Sequence, residues 1–288
     1  RTDRLARTRV GGARSGEQGC AMSGLQPVTV ITGASAGIGV ALARVFARHG
    51  HALALVARRK DRLHAMADEI AAAGGVRPLV IAADLQRPDA VQAVSDALAA
   101  HGLEPQYMVN NAGFGLVGAA ASLDRAEQLA MIDLNVRTLA GLSLAFVDSL
   151  ERHHGGILNV GSMAGFLPGP GMTVYYAAKA FVLSFSEALH SELKRRGVRV
   201  TVLCPGPVAT EFGQRAGISG RSLSPEILTQ SAEHVAEAGY HGLMQGRRVV
   251  VPGLINKAVV TAIRFVPRRI LLALIDARQR RRMSARRT

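Results

Sequence analysis

The sequence predicts an α/β protein with a doubly wound parallel sheet of about seven strands and helices on both faces. Three features carry that expectation. Short apolar runs alternate with helix-length segments of 3.6-residue periodicity, which implies parallel strands joined by right-handed crossovers. The first apolar run leads straight into a glycine-rich turn and then an amphipathic helix. Polar and charged residues cluster just after the strand ends, the edge at which doubly wound sheets bind ligands.

Taken in order, strands are expected at 28–32, 52–57, 77–82, 107–109, 157–160, 198–203 and 249–251. Helices are expected at 37–49, 60–73, 88–100, 124–150, 175–196 and 226–245. With 48% hydrophobic residues in 288, the chain can bury one sizeable core, placed at 22–253. Residues 1–21 hold five arginines and no sustained periodicity, and read as a leader or disordered basic arm before a natural start at Met22. Residues 254–288 form a basic, amphipathic extension. Lys257, Thr261, Arg264 and Arg268 share a polar face opposite Val259, Val260, Ile263 and Val266. Pro267 breaks that pattern before a second apolar run at 270–275.

The net charge of +14 resembles a nucleic-acid signal until it is located. Residues 1–21 carry +3 and 257–288 carry +9, which leaves about +2 over 22–256. A near-neutral core disfavours nucleic-acid binding, although the basic tails could touch an anionic surface. The two cysteines, Cys20 and Cys204, exclude a disulfide framework and point to a reducing, cytoplasmic setting. Arginines recur too often in the extension for a membrane span. Packing on the core or a partner subunit, peripheral membrane contact and a disordered end are the competing readings for it.

The glycine turn, Thr32-Gly33-Ala34-Ser35-Ala36-Gly37-Ile38-Gly39, spaces its glycines as Gly-x3-Gly-x-Gly. Glycines allow positive φ and close approach of a ligand, and the following helix offers free N–H groups to a phosphate. The second strand is followed by Arg58 and Arg59, with no acid to accept from a ribose 2′-hydroxyl. A guanidinium there suits a 2′-phosphate, and so NADP rather than NAD, or else belongs to an exposed loop. Asp84-Leu85 follow the third strand, where the carboxylate serves either an adenine amino group or a helix cap. Asn110-Asn111-Ala112-Gly113 follow the fourth, where asparagines can brace neighbouring backbone.

Gly161-Ser162 follow the fifth strand, with Tyr175 and Lys179 one helical turn apart downstream. Carbonyl reduction needs a proton donor and alcohol oxidation a base. A free tyrosine, at a pKa of ~10, suits neither near neutrality, and a nearby ammonium would lower it. A serine hydroxyl could hold the substrate oxygen. Tyr176 points elsewhere, because a helix turns ~100° per residue. His153 and His154 read as a solvated turn, Cys204 as a small buried residue, and no metal site is expected.

Together these motifs resemble the short-chain dehydrogenase/reductase family. The resemblance spans about 28–252 and rests on TGASAGIG at 32–39, NNAG at 110–113, Asn135 in Leu-Asn-Val, Ser162, Tyr175-x3-Lys179, and Pro205-Gly206-Pro207-Val208 with Thr210. It implies a Rossmann-fold catalytic domain in an NADP-dependent oxidoreductase that interconverts a carbonyl and a secondary alcohol. It implies Tyr175 as general acid/base, with Lys179 lowering its pKa and binding the nicotinamide ribose. Ser162 would position the substrate oxygen, and Asn135 would hold a proton-relaying water. Gly33, Ser35, Gly37, Ile38, Gly39, Arg58, Asp84, Leu85, Asn111, Ala112, Gly113, Pro205, Gly206, Val208 and Thr210 would contact the cofactor. A homodimer or homotetramer through 124–150 and 175–196 is also implied. Residues 163–174 and 211–224 flank the expected site, the first apolar and the second a glycine-bearing lid, which suggests a small or lipophilic carbonyl substrate. The rival readings are a cofactor-binding regulatory protein with a silent site and a membrane-surface protein.

Overall fold

The computed structural model describes residues 24–216 and 228–284. Seven parallel strands form one sheet in the order β3-β2-β1-β4-β5-β6-β7. They are β1 (Gln26–Thr32), β2 (Leu53–Ala57), β3 (Leu79–Ala82), β4 (Leu103–Asn110), β5 (Gly156–Val160), β6 (Arg199–Leu203) and β7 (Val249–Val250). Strand order reverses between β1 and β4, which opens a crevice at their carboxyl ends.

Side-chain alternation assigns each strand residue to one face. Ile31, Leu55, Val109 and Leu158 join a core under α1 (Gly37–Arg48), α2 (Lys60–Ala72) and α9 (Ala232–Met244). Val30, Val56, Met108 and Ile157 join the core on the other face. That face is covered by α3 (Ala90–Ala99), α4 (Arg125–Ile132), α5 (Leu139–Ala145), α6 (Val147–Arg152) and α7 (Thr173–Leu193). Burial on both faces explains why the strands read as unbroken apolar runs.

The differences from expectation have local causes. β4 begins at Leu103, four residues before the expected start at 107, because its register shifts opposite Val28/Thr29 and so accommodates Pro105 inside a central strand. The helix expected at 124–150 is three helices. A π-helical turn, Asp133–Thr138, separates α4 from α5, and Phe146, at φ −111, separates α5 from α6. The helix expected at 226–245 starts at Ala232, capped by Ser231, and residues 226 and 227 lie outside the described residues. His153 and His154 form a turn as expected, with His154 exposed, but His153 is only partly solvated: its Nε2 lies 2.7 Å from Glu104 Oε1, and Arg152 pairs with the same buried carboxylate.

Beyond β7 come α10 (Leu254–Ile263) and α11 (Arg268–Ser284), split at Pro267 as expected. The first part of the extension packs on the core, one of the expected readings: α10 buries Asn256 and Val260, the latter beside Val182, Val202 and Cys204. No helix among the described residues is long and apolar enough to cross a membrane. The proposed leader, residues 1–21, lies outside the described residues.

Candidate active site

The glycine turn lies at the carboxyl end of β1, beside the reversal. Gly33 and Gly37 take φ of +67° and +53°, which favours glycine. A Cβ on Gly39 would fall 2.2 Å from the Gly33 carbonyl oxygen, so no side chain fits there. Ala36, the N-cap of α1, offers no side-chain cap, and no acid lies in the first turn. Gly39 N–H turns back to the Ala36 carbonyl at 3.2 Å, and the open end of the helix is otherwise suited to an incoming anion such as a dinucleotide pyrophosphate. Ser35 and Ile38 sit half-buried on its rim. Asn111 braces the turn as expected. Its Nδ2 donates to the carbonyls of Thr32 at 2.9 Å and Gly33 at 3.3 Å, while Thr32 Oγ1 accepts from the amides of Asn111 and Ala112.

Arg58 stands exposed at the end of β2, with no ion pair among the described residues. Its neighbour Arg59 turns back on the glycine turn. Arg59 donates to the Ser35 hydroxyl at 3.2 Å and carbonyl at 3.1 Å, and pairs with Glu211 at 2.8 Å. Arg62 reaches the other oxygen of Glu211 at 2.5 Å. Arg62 and Glu211 were not singled out from the sequence, although the Arg59/Arg62 spacing at the start of α2 is a readable signal. Asp84 is engaged locally, its Oδ1 accepting from the Gln86 amide at 3.1 Å, and Leu85 is buried.

Tyr175 and Lys179 lie on the first turns of α7, with Ser162 just past β5. Burial pushes the Tyr175 phenol up to about 12, against a smaller lowering influence of the neighbouring Ser162 hydroxyl. Burial also brings the Lys179 ammonium down to about 8. Lys179 Nζ donates to the Val160 carbonyl at 2.8 Å and lies 5.8 Å from the Tyr175 ring centre. Burial dominates the tyrosine's shift while the ammonium faces the end of β5. The Asn135 side chain donates to the Phe114 carbonyl at 2.9 Å and accepts from its amide at 3.1 Å, which leaves it one N–H and one lone pair. Tyr176 packs across Gly169, away from Lys179. Cys204 is buried, with its thiol pushed up to about 12 by that burial.

An apolar wall closes around Tyr175. Phe212, Met172 and the Tyr175 ring all approach the position a Cβ on Gly115 would take, and the Tyr175 and Phe212 ring centres are 5.3 Å apart. Phe212 opens α8 (Phe212–Arg215), inside the expected lid, and residues 217–224 of that lid lie outside the described residues. The stretch from Pro205 to Thr210 runs from the end of β6 to the glycine turn. Pro205 accepts from the Met163 amide at 2.9 Å, Val208 pairs with Gln230, and Thr210 packs on Gly37. Gly206 lies against Asn256 of α10, another residue the sequence reading missed. Gly113 lies against Asn135, where a Cβ would come 2.8 Å from Oδ1. Far from this crevice, the surface group His49, Glu237 and His241 has metal-ligand composition, but Arg48 pairs with Glu237 at 2.5 Å.

Comparison with known proteins agrees with this arrangement. The family profile described as short chain dehydrogenase matches residues 27–218. The chain is 39% identical over 222 residues to sulfoacetaldehyde reductase 2 of Chromohalobacter salexigens, covering 74% of this chain and 86% of that protein. It is 35% identical over 228 residues to an NADP-dependent 3-hydroxy acid dehydrogenase of Salmonella typhi, covering 74% and 90%. Among solved structures, a short-chain dehydrogenase from Sphingobium yanoikuyae in complex with NADPH superposes with a TM-score of 0.71 at 32% identity, covering 84% of this chain and 97% of that one.

Proposed function

The chain belongs to the short-chain dehydrogenase/reductase family of NAD(P)-dependent oxidoreductases, and from that premise we propose that it uses NADP to interconvert a carbonyl and a secondary alcohol, with Tyr175 as general acid/base. The observation that carries the reading is the apolar crevice beside the glycine turn, where Tyr175 packs against Phe212 and Met172 with Lys179 5.8 Å from its ring centre and Ser162 just past β5. The bound nicotinamide would supply or accept the hydride. In reduction, Ser162 holds the substrate oxygen and Tyr175 donates its proton to it. A phenol held up to about 12 is protonated near neutrality and ready for that donation. With the cofactor bound, Lys179 would hold the nicotinamide ribose, and its ammonium, 5.8 Å from the Tyr175 ring centre, would favour the phenolate. Asn135 fixes Phe114 and the backbone beyond Gly113, and its remaining capacity suits the proton-relaying water.

The charge beside β2 supports NADP over NAD. Arg58 is free to receive a 2′-phosphate, and Arg59 already binds Ser35 of the glycine turn. The apolar wall of Met172 and Phe212 supports a lipophilic carbonyl compound, while the relatives named for sulfoacetaldehyde and 3-hydroxy acids keep small acids in the panel. The test is titration of NADPH and NADH on the purified protein, followed by a carbonyl panel read as loss of reduced cofactor. We expect NADPH to bind at least tenfold tighter and to be consumed. Equal binding would overturn the NADP assignment, and binding without turnover would favour a silent-site regulatory protein.

The extension leaves Leu254, Phe265, Ile270 and Leu274 exposed among basic residues. This supports packing against a second copy, within a dimer or tetramer. Peripheral contact with an anionic membrane is the competing reading, and co-sedimentation with anionic vesicles at low salt separates the two.

A further inference from the structure

Glu211 is the acid that the described residues show ion-paired to the arginines following β2. It does not come from α2 or from the sheet edge. It follows Thr210, which packs on Gly37, so it reaches the arginines from the far side of the glycine turn. Its two oxygens are divided between two guanidiniums, Oε2 to Arg59 at 2.8 Å and Oε1 to Arg62 at 2.5 Å. Arg59 is held from behind by Ser35 as well. Both guanidiniums hold the carboxyl of Glu211 below the usual carboxylate range, so it stays charged near neutrality. A bridging carboxylate and a phosphate monoester ask the same thing of an arginine pair, which is a set of N–H donors around a compact anion.

We propose that Glu211 is a selectivity residue for the dinucleotide: its carboxylate holds the two guanidiniums that a ribose 2′-phosphate needs, and competes with that phosphate for them. The inference rests on the NADP reading above. A cofactor with the 2′-phosphate must release Arg59 and Arg62 from Glu211, and one without it leaves the bridge intact. Glu211 thus weakens NADPH binding selectively and narrows the preference that the arginines create. Arg58, with no ion pair among the described residues, offers the phosphate a first contact before the bridge opens.

The test is a binding titration on the whole protein, with NADPH, NADH, 2′,5′-ADP and 5′-ADP as probes, for the natural chain and for Glu211→Gln and Glu211→Ala. The side chain is about half exposed, 47%, so neither variant removes core packing. Removing the carboxylate is expected to tighten NADPH and 2′,5′-ADP roughly fivefold, in keeping with a partly exposed ion pair, and to leave NADH and 5′-ADP within about twofold. Unchanged affinity for the two phosphorylated probes, or an equal change for all four, would overturn the proposal. If the natural chain fails to distinguish 2′,5′-ADP from 5′-ADP, the NADP reading fails instead. The two failures are thereby separable.

Discussion

Burial acts on Tyr175 and Lys179 in opposite senses, and the consequences are measurable. Lys179, 6% exposed, is brought from 10.5 to about 8. Between those pH values the unfolded chain binds the extra proton and the native chain does not, so stability rises with pH through that window. Tyr175 is raised from 10.0 to about 12, so above pH 10 the native chain keeps a proton that the unfolded chain loses, and stability falls again. Denaturant titrations from pH 7 to 11 should show the rise, at a slope of at most about 1.4 kcal/mol per pH unit. Lys179→Met should flatten it, and an unaltered slope in that variant would contradict the assignment. Tyr175, Lys179 and Ser162 were singled out from motif and topology, and Asn135 from the family resemblance; the fold brings all four to adjoining elements. Their bonding was not legible. Whether Lys179 faces the phenol or the Val160 carbonyl depends on where β5 ends relative to α7, and no residue spacing reports that.

At the scale of elements, the strands that close packing makes unbroken apolar runs were legible, as was the β1–α1 turn. The misreadings arose where a local pattern met a tertiary demand. The 124–150 segment keeps helical periodicity through Asp133–Thr138. There Asn135 pairs with the backbone of Phe114 and Thr138 Oγ1 donates to the Leu85 carbonyl at 2.6 Å, and the helix widens into a π turn. Such π turns are frequent at functional sites. α10 was legible as an amphipathic segment with core packing among its readings, but composition, which shifts at 254, could not single that reading out. Val260 is 5% exposed beside Val202 and Cys204. Val260→Ala should therefore cost about 2 kcal/mol in denaturant titration, whereas Lys257→Ala on the exposed face should stay within about 0.5 kcal/mol. Equal, small effects would mean that α10 is peripheral. Truncation at 253 removes part of the core, so a cut at Pro267 is the cleaner way to ask what the basic end does.

Across the whole molecule, the reversal of strand order between β1 and β4 gathers what the chain distributes over nearly two hundred residues. The uncapped start of α1, the arginines after β2, Ser162 after β5 and the stretch beyond β6 converge on one end of the sheet. A phosphate cradle without chemistry, or chemistry without a cradle, would each be common in an α/β protein. The joint arrangement is what supports a hydride-transfer enzyme with its own proton donor. The most direct measurement is to compare Tyr175→Phe with the natural chain for NADPH affinity and for turnover of a carbonyl substrate on the same preparations. The account predicts NADPH affinity within about twofold and a turnover loss on the order of 10²-fold or more, because the fold and cradle survive while the proton donor is gone. Turnover that persists at the natural rate would contradict the role assigned to Tyr175.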